Sequence, residues 1–468
     1  MKLKNRTLFQ QMSLVFTPLA LLALAPQAYS ADYADYAAGT GVNTSTNVGG
    51  LYAPRQKEAA TFTEALTGGK TTANIQYRYE NVDQPNPTTG ARLKDARAST
   101  VRLRLGYETA EYMGFGGLVQ IEHISANDAY NSRVNGRTNY SIVQDPKGTE
   151  INQAYLSYSG IPQTRVKFGR QLIRLDNDRW VGNVVWRQNH QTYDGVTAVN
   201  QSLPDTTITA AFITNANRVI SDASIPNATG STLGNHAMRT TLLNANYKGL
   251  GFAELVGYGY FLDYDPSALA FGRENSTKTI GARMKGNAPM GDNKLLYAAE
   301  YARQSNYRDN IGLGNGGGGD YTVRYTLLEG GVDLKAAQFK LGYELLSGNG
   351  RQSLSTPLAT LFAFNGWADV FLVTPRNGLQ DVYANARTTV AGIVIGADYH
   401  DFRADTGGYR YGTEWDLIAS KQINKTYSVG TRYASFKADN NTAAAAAASS
   451  CTTCFDTRKF WVYGAMNF

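Results

Sequence analysis

The chain has 468 residues, 45 basic against 38 acidic, with 30 Tyr, 47 Gly, 13 Pro and a mean hydropathy of −0.34. Past the first thirty positions no run of ~18 apolar residues occurs, which excludes helical membrane spans. Setting aside Lys2, Lys4 and Arg6 leaves 42 basic against 38 acidic residues, about +4, too small an excess to argue for a nucleic-acid partner.

At the N-terminus, Lys2, Lys4 and Arg6 form a basic stretch, Leu14 to Leu24 is apolar apart from Thr17 and Pro18, and Ala28-Tyr29-Ser30 is a small-x-small cleavage site. Residues 1–30 are therefore expected to be a secretory signal peptide, removed on export. Residues 31–50 are rich in Ala, Gly, Thr and Asn, so 31–70 reads as a flexible mature N-terminus. It carries one short helix within 57–68 (Glu58, Ala59, Ala60, Phe62, Ala65, Leu66), expected at the periplasmic mouth.

From residue 71 to 468 the pattern is all-β. Ala73, Ile75, Tyr77 and Tyr79 alternate with Asn74, Gln76, Arg78 and Glu80; Val101, Leu103, Leu105 and Tyr107 alternate with Arg102, Arg104 and Glu108. The period recurs near 115–123, 151–158, 163–170, 193–200, 206–213, 239–247, 251–261, 277–285, 294–304, 321–332, 337–346, 390–401, 410–419, 426–436 and 458–468. An apolar face set against a charged one is the signature of a transmembrane antiparallel β-barrel with a polar lumen, and abundant Tyr suits its interfacial girdles. Connections alternate short (109–114, 159–162, 201–205, 248–250, 286–293, 333–336) and long (81–98, 124–150, 171–192, 214–238, 262–276, 305–320), as periplasmic turns and extracellular loops do. Seventeen strands leave the last one pointing the wrong way. A further strand at Leu379-Gln380-Asp381-Val382-Tyr383-Ala384-Asn385, turning at Ala386 to Thr389, restores the rhythm and brings the total to eighteen, enough for an aqueous lumen.

Between 165 and 187 six cations (Arg165, Lys167, Arg170, Arg174, Arg179, Arg187) are interleaved with Trp180, Trp186 and many amides. With Arg102 and Arg104 they are the candidate pore-lining, anion-binding set. Guanidinium is a planar, always charged and weakly hydrated fork, and a ring of such groups in a narrow pore selects anions. Loop 171–192 is long enough to fold into the lumen and set the constriction. The opposing reading is that these arginines stiffen the wall by pairing with the lumen acids Glu80, Glu108, Glu122, Glu254, Glu300, Glu344, Asp398, Glu414 and Asp416. Trp180 and Trp186 could stack on sugars or merely pack.

Several segments resemble the alginate-export family of bacterial outer-membrane porins: Gly169-Arg170-Gln171, Leu175-Asp176-Asn177, Trp186-Arg187-Gln188-Asn189, Gln191-Thr192-Tyr193-Asp194, Tyr77-Arg78-Tyr79-Glu80-Asn81-Val82-Asp83 and Thr100-Val101-Arg102-Leu103-Arg104-Leu105-Gly106-Tyr107. The likeness covers about 60–200. It implies an eighteen-stranded, single-barrel outer-membrane channel, in a family whose founding example conducts polyanionic alginate through an arginine-rich pore. The last strand, with Phe460, Val462, Gly464, Met466 and Phe468 on one face, resembles the terminal strand of outer-membrane barrels, an end read by the assembly machinery.

Cys451 and Cys454 are expected to form a local disulfide, because a zinc site would need two more ligands and no His lies in that loop. The histidines, His123, His190, His236 and His400, sit in no G-x-S-x-G or H-E-x-x-H context. His190 reads as a polar lumen group. Gly314 to Gly319, broken by Asn315, and Ala443 to Ala448 read as external loop insertions. The expectation is a passive channel preferring anionic solutes (acidic sugars, uronates or alginate-like polyanions, other carboxylates), with no catalytic residue, metal or cofactor. Its expected surroundings are outer-membrane lipid and lipopolysaccharide, with a monomeric state. Two other classes stay open: a surface structural or adhesion barrel with a shut lumen, and a lipid-modifying barrel enzyme.

Overall fold

A computed structural model describes residues 58–86, 89–221, 234–265, 275–308 and 320–468. The signal-peptide segment, the 31–57 part of the N-terminal extension and the Gly314–Gly319 run lie outside the described residues.

Eighteen antiparallel strands follow one another around a closed sheet: β1 Lys70–Asp83, β2 Ala96–Glu108, β3 Phe115–Ala126, β4 Gly148–Tyr158, β5 Thr164–Gln171, β6 Thr192–Asn200, β7 Thr206–Asn217, β8 Asn235–Tyr247, β9 Ala253–Phe261, β10 Thr277–Met290, β11 Asn293–Asn306, β12 Thr322–Asp333, β13 Ala337–Leu346, β14 Leu379–Val390, β15 Ile393–Arg403, β16 Arg410–Gln422, β17 Tyr427–Ala438 and β18 Thr457–Asn467. Closure is made by β1 on β18, from Asn74↔Asn467 to Asp83↔Arg458. No sheet edge is left, which is what lets strands cross lipid with every ladder group paired. Alternation assigns the faces: Gln76, Arg78, Glu80, Arg102 and Arg104 are buried inward, while Tyr77, Val101, Leu103 and Leu105 are exposed outward. On β18 Trp461, Tyr463 and Ala465 point in, and Val462 and Phe468 are exposed.

The strand between 347 and 389 is present as β14, but it runs longer than the sequence suggests. Ala386 to Thr388 remain paired to β13 and β15, Thr389 stays paired to β15, and the turn is Ala391-Gly392. Both turn residues have positive φ (51° and 73°), as a two-residue hairpin requires to match strand twist. Likewise β10 reaches Met290, so its turn is 291–292 rather than 286–293. The alanine run is not irregular loop but a short helix, Ala443–Ala448, capped by the Thr442 side chain on the Ala445 amide. The N-terminal helix is Phe62–Thr67. It packs Ala59 and Ala65 on Ala110 of the 109–114 turn, and the Ala110 amide donates to the Ala65 carbonyl (3.0 Å). Cys451 and Cys454 are disulfide-bonded, with Cα atoms 5.4 Å apart.

Candidate functional site

Among the described residues two long connections meet inside the barrel, and the β3–β4 connection adds the buried Asp145, which accepts from the Gln188 amide (2.8 Å). The first, 172–191, joins β5 to β6; the second, 347–378, joins β13 to β14. The Gly182 amide donates to the Leu358 carbonyl (2.9 Å), and the Thr360 amide to the Asp178 carbonyl (3.0 Å). A Cβ at Gly182 would stand 2.2 Å from Thr360 Oγ1, so the close approach needs glycine. Trp186 stacks on Phe362 at 4.1 Å with planes 8° apart, and Trp461 meets both edge-on. Arg432 of β17 lays its guanidinium 4.6 Å from the rings of both Trp186 and Trp367. An apolar cluster inside a polar lumen thus clamps the two loops to the β17–β18 wall.

The expected cations divide into groups. Three guanidiniums step down one wall: Arg78 of β1, then Arg102 of β2 opposite Gln76, then Arg104 opposite Asn74. All three reach the first inward loop. Arg78 donates to the Trp186 carbonyl and to Asp145, Arg102 to the Gln188 carbonyl (3.2 Å), and Arg104 contacts His190 Nε2 (3.1 Å). Arg104 is held by Glu122 (2.5 Å), whereas Arg102 is bonded to Asn74 Oδ1 (2.6 Å) and has no carboxylate within ion-pair range among the described residues. Lower down, Arg165 faces Glu108 at 3.6 Å, and Lys167 lies over the Tyr155 ring at 4.6 Å.

The loop arginines act as struts. Arg174 pairs with Asp178 (2.7 Å) within its own loop. Arg179 crosses to Glu344 of β13 (2.9 Å) and to Asn365 (3.2 Å), and Arg187 bridges Glu80 (3.0 Å) to Asp369 (3.3 Å). Arg170 is a correction to the pore-lining set. It shares the outward parity of the exposed Phe168, not that of Lys167, and grips Asp194 through Nε (2.8 Å) and Nη2 (3.1 Å). Two residues per repeat leave no choice of face. Trp180 and Trp186 pack: Trp180 is buried against Tyr258 and Tyr325, with its indole N–H donating to Glu300 (2.7 Å). His190 lies buried at the first inward loop's end. Burial first, then Arg104, Arg102 and Arg174, hold its imidazole well below the usual range, so it is neutral.

Charge is segregated across the lumen. On β17, β18, β1 and β2 the buried inward charges are Arg432, Lys459, Arg78, Arg102 and Arg104 against Glu80 and Glu108. On β13 to β16 they are Glu344, Asp381, Asp398, Glu414 and Asp416, against His400 and the partly buried Lys340 and Arg387. His400 Nδ1 sits 2.9 Å from Asp381 and Arg387 grips Asp398 (2.6 Å). A small, water-sized gap is lined by Glu344, Asn365, Asp381, Asp398 and His400, and a second lies beside Trp180 and Gln304. The sequence reading missed Asp145, Asp369, Asp381, Arg432 and the whole second inward loop. The available signal was the apolar density of 354–371 (Leu354, Leu358, Phe362, Trp367, Phe371), out of place in a wetted external loop.

Eighteen strands, inward loops and a charged lumen match a known lineage. Residues 70–348, well over half of the chain, match the family described as Alginate export. The chain belongs to the alginate export family. It is thus a porin-like outer-membrane β-barrel of a channel lineage rather than an enzyme one. Among solved structures it is similar to Pseudomonas aeruginosa OpdK with vanillate (11% identity, TM-score 0.61, covering 86% of this chain and 99% of that one). It is also similar to Acinetobacter baumannii OccAB2 (13%, 0.63, 86% and 99%) and to Pseudomonas aeruginosa OccK2 (OpdF) in complex with glucuronate (13%, 0.59, 85% and 98%). At such identities the likeness is one of fold. A comparison with curated protein sequences finds no match.

Proposed function

We propose that this alginate export family member is a passive outer-membrane channel that prefers anions, with acidic sugars, uronates and other carboxylates as its solute class. The observation that carries the reading is the descending row of Arg78, Arg102 and Arg104 on one wall, with Arg102 lacking a carboxylate partner. An arginine bonded only to neutral acceptors leaves an unneutralised positive charge in the lumen wall, whose field favours anions, whereas one clamped by an acid is largely neutralised. Two of the similar barrels were solved with vanillate and glucuronate, both carboxylates, which agrees in chemistry. Transport down a gradient asks for no cofactor or energy source.

Reversal potential across a planar bilayer in a salt gradient tests the reading. An anion-side reversal that moves toward neutrality in Arg102→Gln is expected; a cation preference, or a potential indifferent to Arg102, refutes it. The second reading, a structural barrel with a shut lumen, is favoured by the face-to-face docking of the two inward loops, stacked at 4.1 Å. Complete absence of single-channel steps from refolded protein would select it.

A further inference from the structure

The outward surface carries a second charged feature, independent of what the lumen conducts. On β8, β10, β11 and β12 an exposed cation faces outward near the external end: Arg239, Lys278, Arg303 and Arg324. The next outward residues toward the membrane centre include Ile280 and Tyr301, and Leu243 and Leu328 follow one step further, all exposed. The cations therefore sit just above the apolar band, at the level of the outer-leaflet headgroups. Arg303 and Arg324 are direct register partners on adjacent strands, and Lys278 lies diagonal to Arg303, because Ile280 pairs with Arg303.

Like charges directly opposite one another across a ladder repel, since their Cβ atoms stand only ~4.5–5.5 Å apart. Three other outward arginines at this level are matched with acids, Arg170 with Asp194 (2.8 Å), Arg410 with Asp401 (2.8 Å) and Arg458 with Asp83 (2.8 Å), whereas the exposed Arg97 of β2 has no ion pair among the described residues. Arg239 has Asp263 at 3.4 Å, but Lys278, Arg303 and Arg324 have no carboxylate in ion-pair range among the described residues. Asp320, just ahead of Arg324, accepts a hydrogen bond from the Asn306 amide (3.0 Å). A cross-strand pair of guanidiniums flanked by an ammonium is a fork for a phosphate oxyanion, and it lies where lipid phosphates lie.

We propose that Arg303, Arg324 and Lys278 form a docking site for the lipid A phosphates of lipopolysaccharide on the β10–β12 face. The test uses the refolded full chain in detergent, with bisphosphorylated lipid A, the same lipid stripped of its phosphates, and inorganic phosphate as competitor, read by native mass spectrometry. Wild type is expected to hold the phosphorylated lipid about tenfold more tightly per contact than the stripped one. R303Q/R324Q should lose that difference, R303K/R324K should keep most of it, and K278Q should show a partial loss. Heat-modifiable gel migration confirms closed barrels in each case. A sign reversal provides an independent check: without lipid A, R324Q should melt at the same temperature as wild type or higher, because repulsion is relieved, and with lipid A it should melt lower. Equal affinity for the two lipids, or equal retention by R303Q/R324Q, overturns the proposal.

Discussion

Phe362→Ala tests whether the aromatic clamp governs the lumen. Phe362 is nearly inaccessible and stacks on Trp186 at 4.1 Å, with Trp461 at 5.7 Å and Trp367 at 6.0 Å. Truncating a buried phenylalanine costs roughly 3–5 kcal/mol, of which an aromatic pair supplies about 0.5–1.5. The loss falls on docking of the two inward loops, because Phe362 belongs to no strand and barrel ladders are untouched. Water entering the vacated space argues for the lower figure, so the undocked population should rise at least ~100-fold. Single-channel recording should show larger or longer-lived conductance states in Phe362→Ala than in wild type, with unchanged heat-modifiable migration on gels. Identical conductance and gating in the two proteins would refute the idea that this contact closes the lumen. If wild type is silent and Phe362→Ala conducts, the clamp is a plug rather than a constriction.

Other expectations follow from the same geometry. Arg179→Ala strands Glu344 as a buried, uncompensated charge and should weaken loop docking by about 3–5 kcal/mol; faster protease cleavage within 172–191 or 347–378 checks it, and adding Glu344→Gln should restore part of the loss. His190 is neutral when docked, while an undocked imidazole takes a proton below ~6.5. Docking should therefore weaken as pH falls from 7.5 to 5 and be flat above 7.5; an open probability with the same pH dependence in His190→Gln would count against this. Reducing Cys451–Cys454 removes a four-residue crosslink worth about 2 kcal/mol by loop-closure entropy. Its neighbour Thr453 donates to the Val370 carbonyl (2.7 Å) of the second inward loop, so dithiothreitol should speed proteolysis around 439–456 without lowering the barrel's melting temperature.

The barrel was legible because its information is local. A two-residue period reports which face is wet, and the short–long rhythm of connections reports which end is outside, so strand number, β14 and the inward placement of Arg102, Arg104, Arg165 and Lys167 could all be read along the chain. The same parity applied at Arg170 would have placed it outward; it was grouped with the lumen cations through clustering in sequence, which crosses faces. What alternation cannot carry is the path of a long loop. Nothing local states that 347–378 turns inward, that Gly182 touches Thr360, or that Arg179 and Arg187 end on Glu344, Glu80 and Asp369. Those partners lie 100 residues or more apart, and only the closed barrel brings them together. Burial of apolar groups from several distant segments is a collective gain that no single stretch displays. The sequence by itself determined where this protein sits and which way its charged face points. The tertiary structure decided which of those charges hold two loops in place through acids, and that Arg102 holds its loop through neutral partners.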